Sequence, residues 1–108
     1  MNINLNEMGL NKVTGGSGEY NKLIKDINTI KDDLPSFCKF AIYEWDYTNA
    51  YKNLDDCVIA LKCDNKVEAK QCLNSAIASL KIISTKYHNL SYLLDTVINN
   101  LTSMCNRI

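Results

Sequence analysis

A chain of 108 residues, 46% apolar and 22% charged, suits one small domain with a core of its own plus a tail. Twelve basic residues balance twelve acidic ones. That argues against a nucleic-acid partner, whose affinity comes largely from Lys and Arg neutralising phosphates, and against a cationic peptide that seeks membranes through a basic face. No run of about 18 apolar residues occurs, so no stable membrane span is expected.

The chain divides near its sixteenth residue. All four glycines, Gly9, Gly15, Gly16 and Gly18, lie before Glu19, and beyond them Pro35 is the only residue that breaks helices by its backbone alone. The first segment has no continuous apolar stretch of the kind a general secretory signal needs, because Asn2, Asn4, Asn6 and Asn11 interrupt it. Leu5, Leu10 and Val13 do fall within an arc of roughly 140° on a helix, and Met8 widens the same side. So short a helix, with Gly9 inside it, is expected to form only when bound. Gly15 and Gly16 follow as backbone without side chains, a shape that threads a narrow cleft. Read on its own, the run Gly15-Gly16-Ser17-Gly18 serves equally as a flexible linker.

These residues resemble the double-glycine leader of bacteriocin-type precursors, which are exported by ABC transporters that carry their own papain-like cysteine peptidase. In that family apolar residues stand twelve, seven and four positions before the cut, where this chain has Leu5, Leu10 and Val13, and the glycine pair corresponds to Gly15-Gly16. The chain departs from the pattern at Gly9, where the family usually has Glu, and at Asn6, where it often has Ser. The resemblance covers residues 1–16 alone. It implies synthesis in a bacterial cytoplasm, recognition of the leader by the transporter's peptidase domain, cleavage between Gly16 and Ser17, and secretion of residues 17–108 as a bacteriocin-like, antimicrobial product with an extracellular target that is not specified.

Residues 17–108 read as helical cargo. Ser17 is placed to cap a helix whose inward residues are Tyr20, Leu23, Ile24, Ile27, Ile30 and Leu34. That helix is expected to end near Asp33, because the residue before a proline is pushed from helical geometry, and Pro35 is expected to open a second helix over 36–62. Phe37, Phe40, Glu44, Tyr47, Tyr51, Leu54, Val58 and Leu61 alternate at spacings of three and four there, with Glu44 as the polar intruder, read as reaching solvent at a helix edge. Ile42, Tyr43 and Trp45 lie off that seam and are expected to cover a second neighbouring helix.

Asp64-Asn65-Lys66 is a turn, and Asn65 followed by Glu68 is a capping-box variant. Leu73, Ala76, Leu80, Ile83, Tyr87, Leu90, Leu94, Val97, Leu101, Met104 and Ile108 continue the alternation. Two architectures fit: a long kinked helical hairpin, or an antiparallel four-helix bundle in which the last arm breaks near His88–Ser91 and Ser91 caps the final helix. Ala41, Ile77, Leu93 and Ile98 widen the apolar stripe beyond what a hairpin buries, which favours the all-α bundle.

Five cysteines, Cys38, Cys57, Cys63, Cys72 and Cys105, suit an exported chain better than a cytosolic one. In an antiparallel pair, residues equidistant from the Asp64-Asn65 turn sit level, and Cys57 and Cys72 are such residues, so they form the candidate disulfide. In the bundle Cys105 also reaches the level of Cys72 and competes for it. The alternative is that all five are small buried apolar residues in a reducing cell.

No Cys-x-x-Cys spacing supports zinc. His88, the single histidine, stands beside a helix junction, with Cys38 as the only cysteine near its level, so neither catalysis nor a metal or other cofactor is expected. The acidic pairs Asp32-Asp33 and Asp55-Asp56 lack calcium-loop spacing and read as solvated faces. A cytosolic helical-bundle immunity or protein-interaction module is the alternative function.

Overall fold

A computed structural model describes residues 17–39 and 41–108, with side chains described from Tyr20 onward. Four helices follow one another: α1 (Ser17–Phe37), α2 (Trp45–Lys62), α3 (Lys66–Lys86) and α4 (Ser91–Arg107), with a 3-10 turn at His88–Leu90 before the last. They form an antiparallel four-helix bundle. Lys31 of α1 pairs with Asp55 and lies over the Tyr51 ring of α2, Asn49 of α2 donates to Ser79 of α3 at 2.7 Å, and Ser84 of α3 donates to Asp95 of α4 at 3.1 Å. The α2–α3 packing is the most extensive and α4 closes against α3, while α1 lies on α2 and meets α4 along a shallower line.

The core is the set of stripes that the spacing predicts. On α1, Leu23, Ile27, Ile30 and Leu34 are buried; on α3 and α4, Leu73, Ala76, Leu80, Ile83, Leu90, Leu94, Val97, Leu101 and Met104 are all buried. Ala41, Ile77 and Ile98, which widened the stripe, are buried as well, whereas Leu93 is 41% exposed and does not join them. Each fully buried Leu or Ile contributes about 1.5–3 kcal/mol of transfer free energy. The described helices therefore carry their own driving force for folding.

The end of α1 differs from the expectation. The helix runs through Pro35 to Phe37 instead of stopping at Asp33, and no helix opens at residue 36. A proline in the last turn forfeits only its own bond to the carbonyl four residues back. Continuing the helix places Leu34 and Cys38 in the core with no exposure, and the Cys38 N–H still donates to the Leu34 carbonyl at 2.9 Å. Burial of those two side chains outweighs the local preference. Successive turns, Ala41 N–H to Cys38 O at 2.8 Å and Glu44 N–H to Ala41 O at 2.9 Å, then carry the chain to α2 with Ala41 tucked inside. The second helix thus starts at Trp45 and has 18 residues, about 27 Å at 1.5 Å per residue.

The α2–α3 turn is closed by its backbone. Asp64 adopts φ 57°, the left-handed region, while Asn65 N–H donates to Ala60 O at 2.8 Å and Asp64 N–H to Leu61 O at 3.1 Å. That is the Schellman pattern, with Asp where Gly is commonest. Asn65 then caps α3 as expected, its side chain accepting from Glu68 N–H at 3.2 Å. At the other end, Ser91 does not cap α4. It has helical angles, φ −51° and ψ −45°, and its hydroxyl donates to the Ser84 carbonyl at 2.9 Å. It ties the start of α4 back to α3.

Candidate functional site

The residues of the leader pattern, Leu5, Met8, Leu10, Val13, Gly15 and Gly16, lie outside the described residues. Ser17, which would follow the cut, stands at the start of α1, and its expected cap rests on a side chain that is also outside them. Phe40 of the second seam lies outside as well. Within the bundle, two groupings concentrate chemistry: the thiols of α2, α3 and α4, and the polar and aromatic end where α2 begins and α3 stops.

The thiols follow from helix register. Asn49–Ser79 and Glu44–Lys86 contacts show that residues nearly equidistant from the α2–α3 turn do lie level, so Cys57 and Cys72 stand at one height on facing helices. Across the α3–α4 turn Ser84 meets Asp95 and Cys105 Sγ lies 3.7 Å from Asn74 Oδ1, so Cys105 is level with Asn74, two residues beyond Cys72 and round the other flank of α3, and not with Cys72 as the counting expected. Cys57 has no exposure and Cys72 is 8% exposed, while Cys105 is half-buried and Cys63 exposed. All five cysteines are free thiols in this structure. Burial pushes Cys57 up to about 12, with the neighbouring Cys72 and Cys105 adding to it. Burial also raises Cys72, reinforced by Asp56 and Glu68, and lifts Cys38 to about 11. A thiol held above its usual range is a weak nucleophile and a small apolar side chain at neutral pH.

At the opposite end of the α2–α3 pair, Glu44 is the residue before α2 and is half-buried. It lies partly in solvent at the helix edge, and its carboxylate is engaged there rather than free. Lys86 Nζ donates to its carboxylate at 2.7 Å and the Tyr87 hydroxyl donates to the other oxygen. The Lys86 hydrogen bond, and then that of Tyr87, hold the Glu44 carboxyl below the usual carboxylate range. The same carboxylate raises Lys86 and Tyr87. Three side chains from two helix ends thus fasten the α2 start to the α3 end.

Beside this fastening stand two large aromatics that the seam reading placed against a neighbouring helix. Tyr43 is 94% exposed and Trp45 72% exposed. The reason is the turn at residues 38–44: once α2 begins at Trp45, the buried stripe restarts with Tyr47, Ala50 and Leu54, and Tyr43 and Trp45 fall on the outer side. Ile42 alone of the three packs partly against the core.

Other sequence features are spread apart. His88 is exposed in the 3-10 turn. Asp32 and Asp33 are exposed, while Asp55 of the second acidic pair is engaged by Lys31. Among the described residues no group of three or more His, Cys, Asp and Glu side chains is arranged to hold a metal ion, and no described helix is long and apolar enough to cross a membrane. The buried hydroxyls of Ser79 and Ser84, each hydrogen-bonded to a neighbouring helix, were not anticipated. Asn49 and Ser79 do stand nearly equidistant from the turn, which was the available signal for the first of them. Comparisons with protein-family models, characterised proteins and solved structures found no match for this chain.

Proposed function

We propose that the chain is the precursor of a secreted, bacteriocin-like protein: residues 1–16 form a double-glycine leader, a peptidase-containing ABC transporter binds that leader and cuts after Gly16, and residues 17–108 are exported as the mature product. The observation that carries this reading is the placement of Leu5, Leu10 and Val13 at the family's distances before Gly15-Gly16. It is supported by the cargo behind the glycines, since helices from Ser17 to Arg107 bury an apolar core among themselves. A folded bundle is bulky for a transporter, so the cargo crosses unfolded and folds outside. Incubating the full chain with the peptidase domain of such a transporter tests the reading. Cleavage after Gly16 is expected, as is its loss in Leu10→Asp, Val13→Asp and Gly15→Val variants. Cleavage elsewhere, or none, counts against it.

The mature activity is proposed as antibacterial, tested by applying purified 17–108 to neighbouring strains. The second reading, a cytosolic helical-bundle immunity or interaction module, is favoured by one observation, the outward-facing Tyr43 and Trp45. Exposed aromatics of this kind are enriched where proteins meet partners. If that reading is correct, the uncut chain remains in the cell and confers protection without killing.

A further inference from the structure

We propose that two copies of this chain exchange α1: the connection between α1 and α2 straightens into one continuous helix, and each α1 packs against α2 and α4 of the other copy as it packs against its own here. Three observations lead to this. The first is the connection itself. Residues 38–44 contain neither glycine nor proline, and their hydrogen bonds already run three or four residues back, from Cys38 N–H to Leu34 O, Ala41 N–H to Cys38 O and Glu44 N–H to Ala41 O. Glu44 is extended, with φ −87° and ψ 152°, and its carboxylate is tied to Lys86 and Tyr87. A ψ rotation at that residue towards the helical value of about −42° continues α2 backwards into the connection. Pro35 is no obstacle, because α1 already passes through it.

The second observation is the phase of the two buried stripes. Ile27 and Leu34 on α1 are fully buried, as is Leu54 on α2, with Leu61 nearly so. On one straight helix Ile27 and Leu54, and likewise Leu34 and Leu61, stand roughly 180° apart at about 3.6 residues per turn. Such a helix cannot bury both stripes in one core; it serves two cores on opposite sides, its own and a partner's. The outward aromatics fit this phase. Trp45 is the next position after Leu34, Cys38 and Ala41 at spacings of four, three and four, and Tyr43 precedes Tyr47, Ala50 and Leu54 at the same spacings. Straightening gives each of them a stripe to join, with Trp45 on the side that faces the partner. The third observation is that α1 has the least extensive packing of the four helices, so it is the one released most readily. Exchange of an identical element restores the same contacts between copies, the pair of Lys31 with Asp55 included. The inference goes beyond the leader and export and does not depend on them.

The test refolds the full chain from urea at high concentration, as an equal mixture of heavy-isotope-labelled and unlabelled protein kept reduced, and separates monomer from dimer by size-exclusion chromatography. Carbodiimide coupling of Lys31 to Asp55, followed by peptide mapping by mass spectrometry, reads the exchange. In the dimer, coupled pairs carrying one heavy and one light peptide are expected; in the monomer, both peptides carry the same isotope. Trp45, the only tryptophan, should shift its emission to the blue in the dimer. Lys39→Gly combined with Tyr43→Gly, both at exposed positions, disfavours the straight helix twice in each copy and should lower the dimerisation constant at least about tenfold, with the circular dichroism of the monomer unchanged. Glu44→Ala, which frees the corner from Lys86 and Tyr87, should raise it. A chain that stays monomeric at every concentration overturns the proposal. So does a dimer whose Lys31–Asp55 pairs never mix isotopes, or one that forms equally well in the double glycine variant.

Discussion

Leu93 and Leu94 are neighbours on α4 with the same side chain and the same helix propensity, and the bundle treats them differently: Leu94 has no exposure and Leu93 is 41% exposed. Leu→Ala removes about three carbon groups, each worth about 0.8 kcal/mol when buried, so the transfer loss at Leu94 is about 2.4 kcal/mol. The cavity left between α3 and α4 adds to that, which puts the total at about 3–4 kcal/mol, inside the usual range for buried leucines. At Leu93 roughly half the side chain is already in water and solvent fills the space, so the cost is about 1 kcal/mol. Urea unfolding of both variants, followed by circular dichroism, should show a gap of about 2 kcal/mol with unchanged m-values. Against a total stability of about 5–15 kcal/mol for a small domain, that gap is easily measured. Equal losses, within about 0.5 kcal/mol, would mean that α4 presents another face to α3 and that the helical register used throughout is wrong.

The fastening of Glu44 to Lys86 and Tyr87 makes a pH prediction. Its carboxyl is held below the ordinary value of about 4.3, so its contribution is present above that value and is lost as pH falls through the folded value. Thermal melts of wild type and Glu44→Gln should converge at strongly acid pH and separate above about pH 5, with the wild type more stable; a constant difference across the range would count against the pairing. Asn65→Ala should cost about 1 kcal/mol through loss of the α3 cap, measured by urea unfolding. At Asp64, with φ 57°, Gly should be preferred to Val by at least about 1 kcal/mol, and equal stability would argue against the left-handed turn. Ser91→Ala should cost about 1 kcal/mol by freeing the α4 start from Ser84, a loss visible as faster amide exchange around His88–Tyr92.

Long, uninterrupted periodicity was the most legible part of the chain. From Leu73 to Met104 the three-four alternation names core positions that are buried almost without exception, the break at His88–Ser91 falls where the 3-10 turn lies, and Asn65 caps as its type and spacing suggest. The region from Leu34 to Trp45 was legible only in part, because its course is decided by contacts distant in sequence. Burial of Leu34, Cys38 and Ala41 carries α1 past Pro35, and the turns that follow leave Tyr43 and Trp45 outward, while Tyr47, Leu54, Val58 and Leu61 keep the buried face their spacing predicts. A periodic reading carried through an unrecognised turn misplaces the residues in the turn and at its edge, here Tyr43 and Trp45. Ser91 shows a smaller version of this: its type suits a cap, but the Ser84 carbonyl one helix away offers a better acceptor. The level of Cys57 with Cys72 could be read by counting from one turn, whereas counting across the second turn missed that Cys105 meets Asn74, and the exposure that separates Cys105 from Cys57 required the packed bundle. The proposed leader is legible from Leu5, Leu10, Val13 and the glycine pair through family resemblance, and helix packing adds nothing to its specificity.

The proposed leader is tested most directly by the mass of the product outside the cell. With the full chain and a peptidase-containing ABC transporter co-expressed, mass spectrometry of the culture medium should find residues 17–108, beginning Ser17-Gly18, and a Gly15→Val variant should leave the medium empty. Full-length protein found only inside the cells, with the active transporter present, would contradict the account.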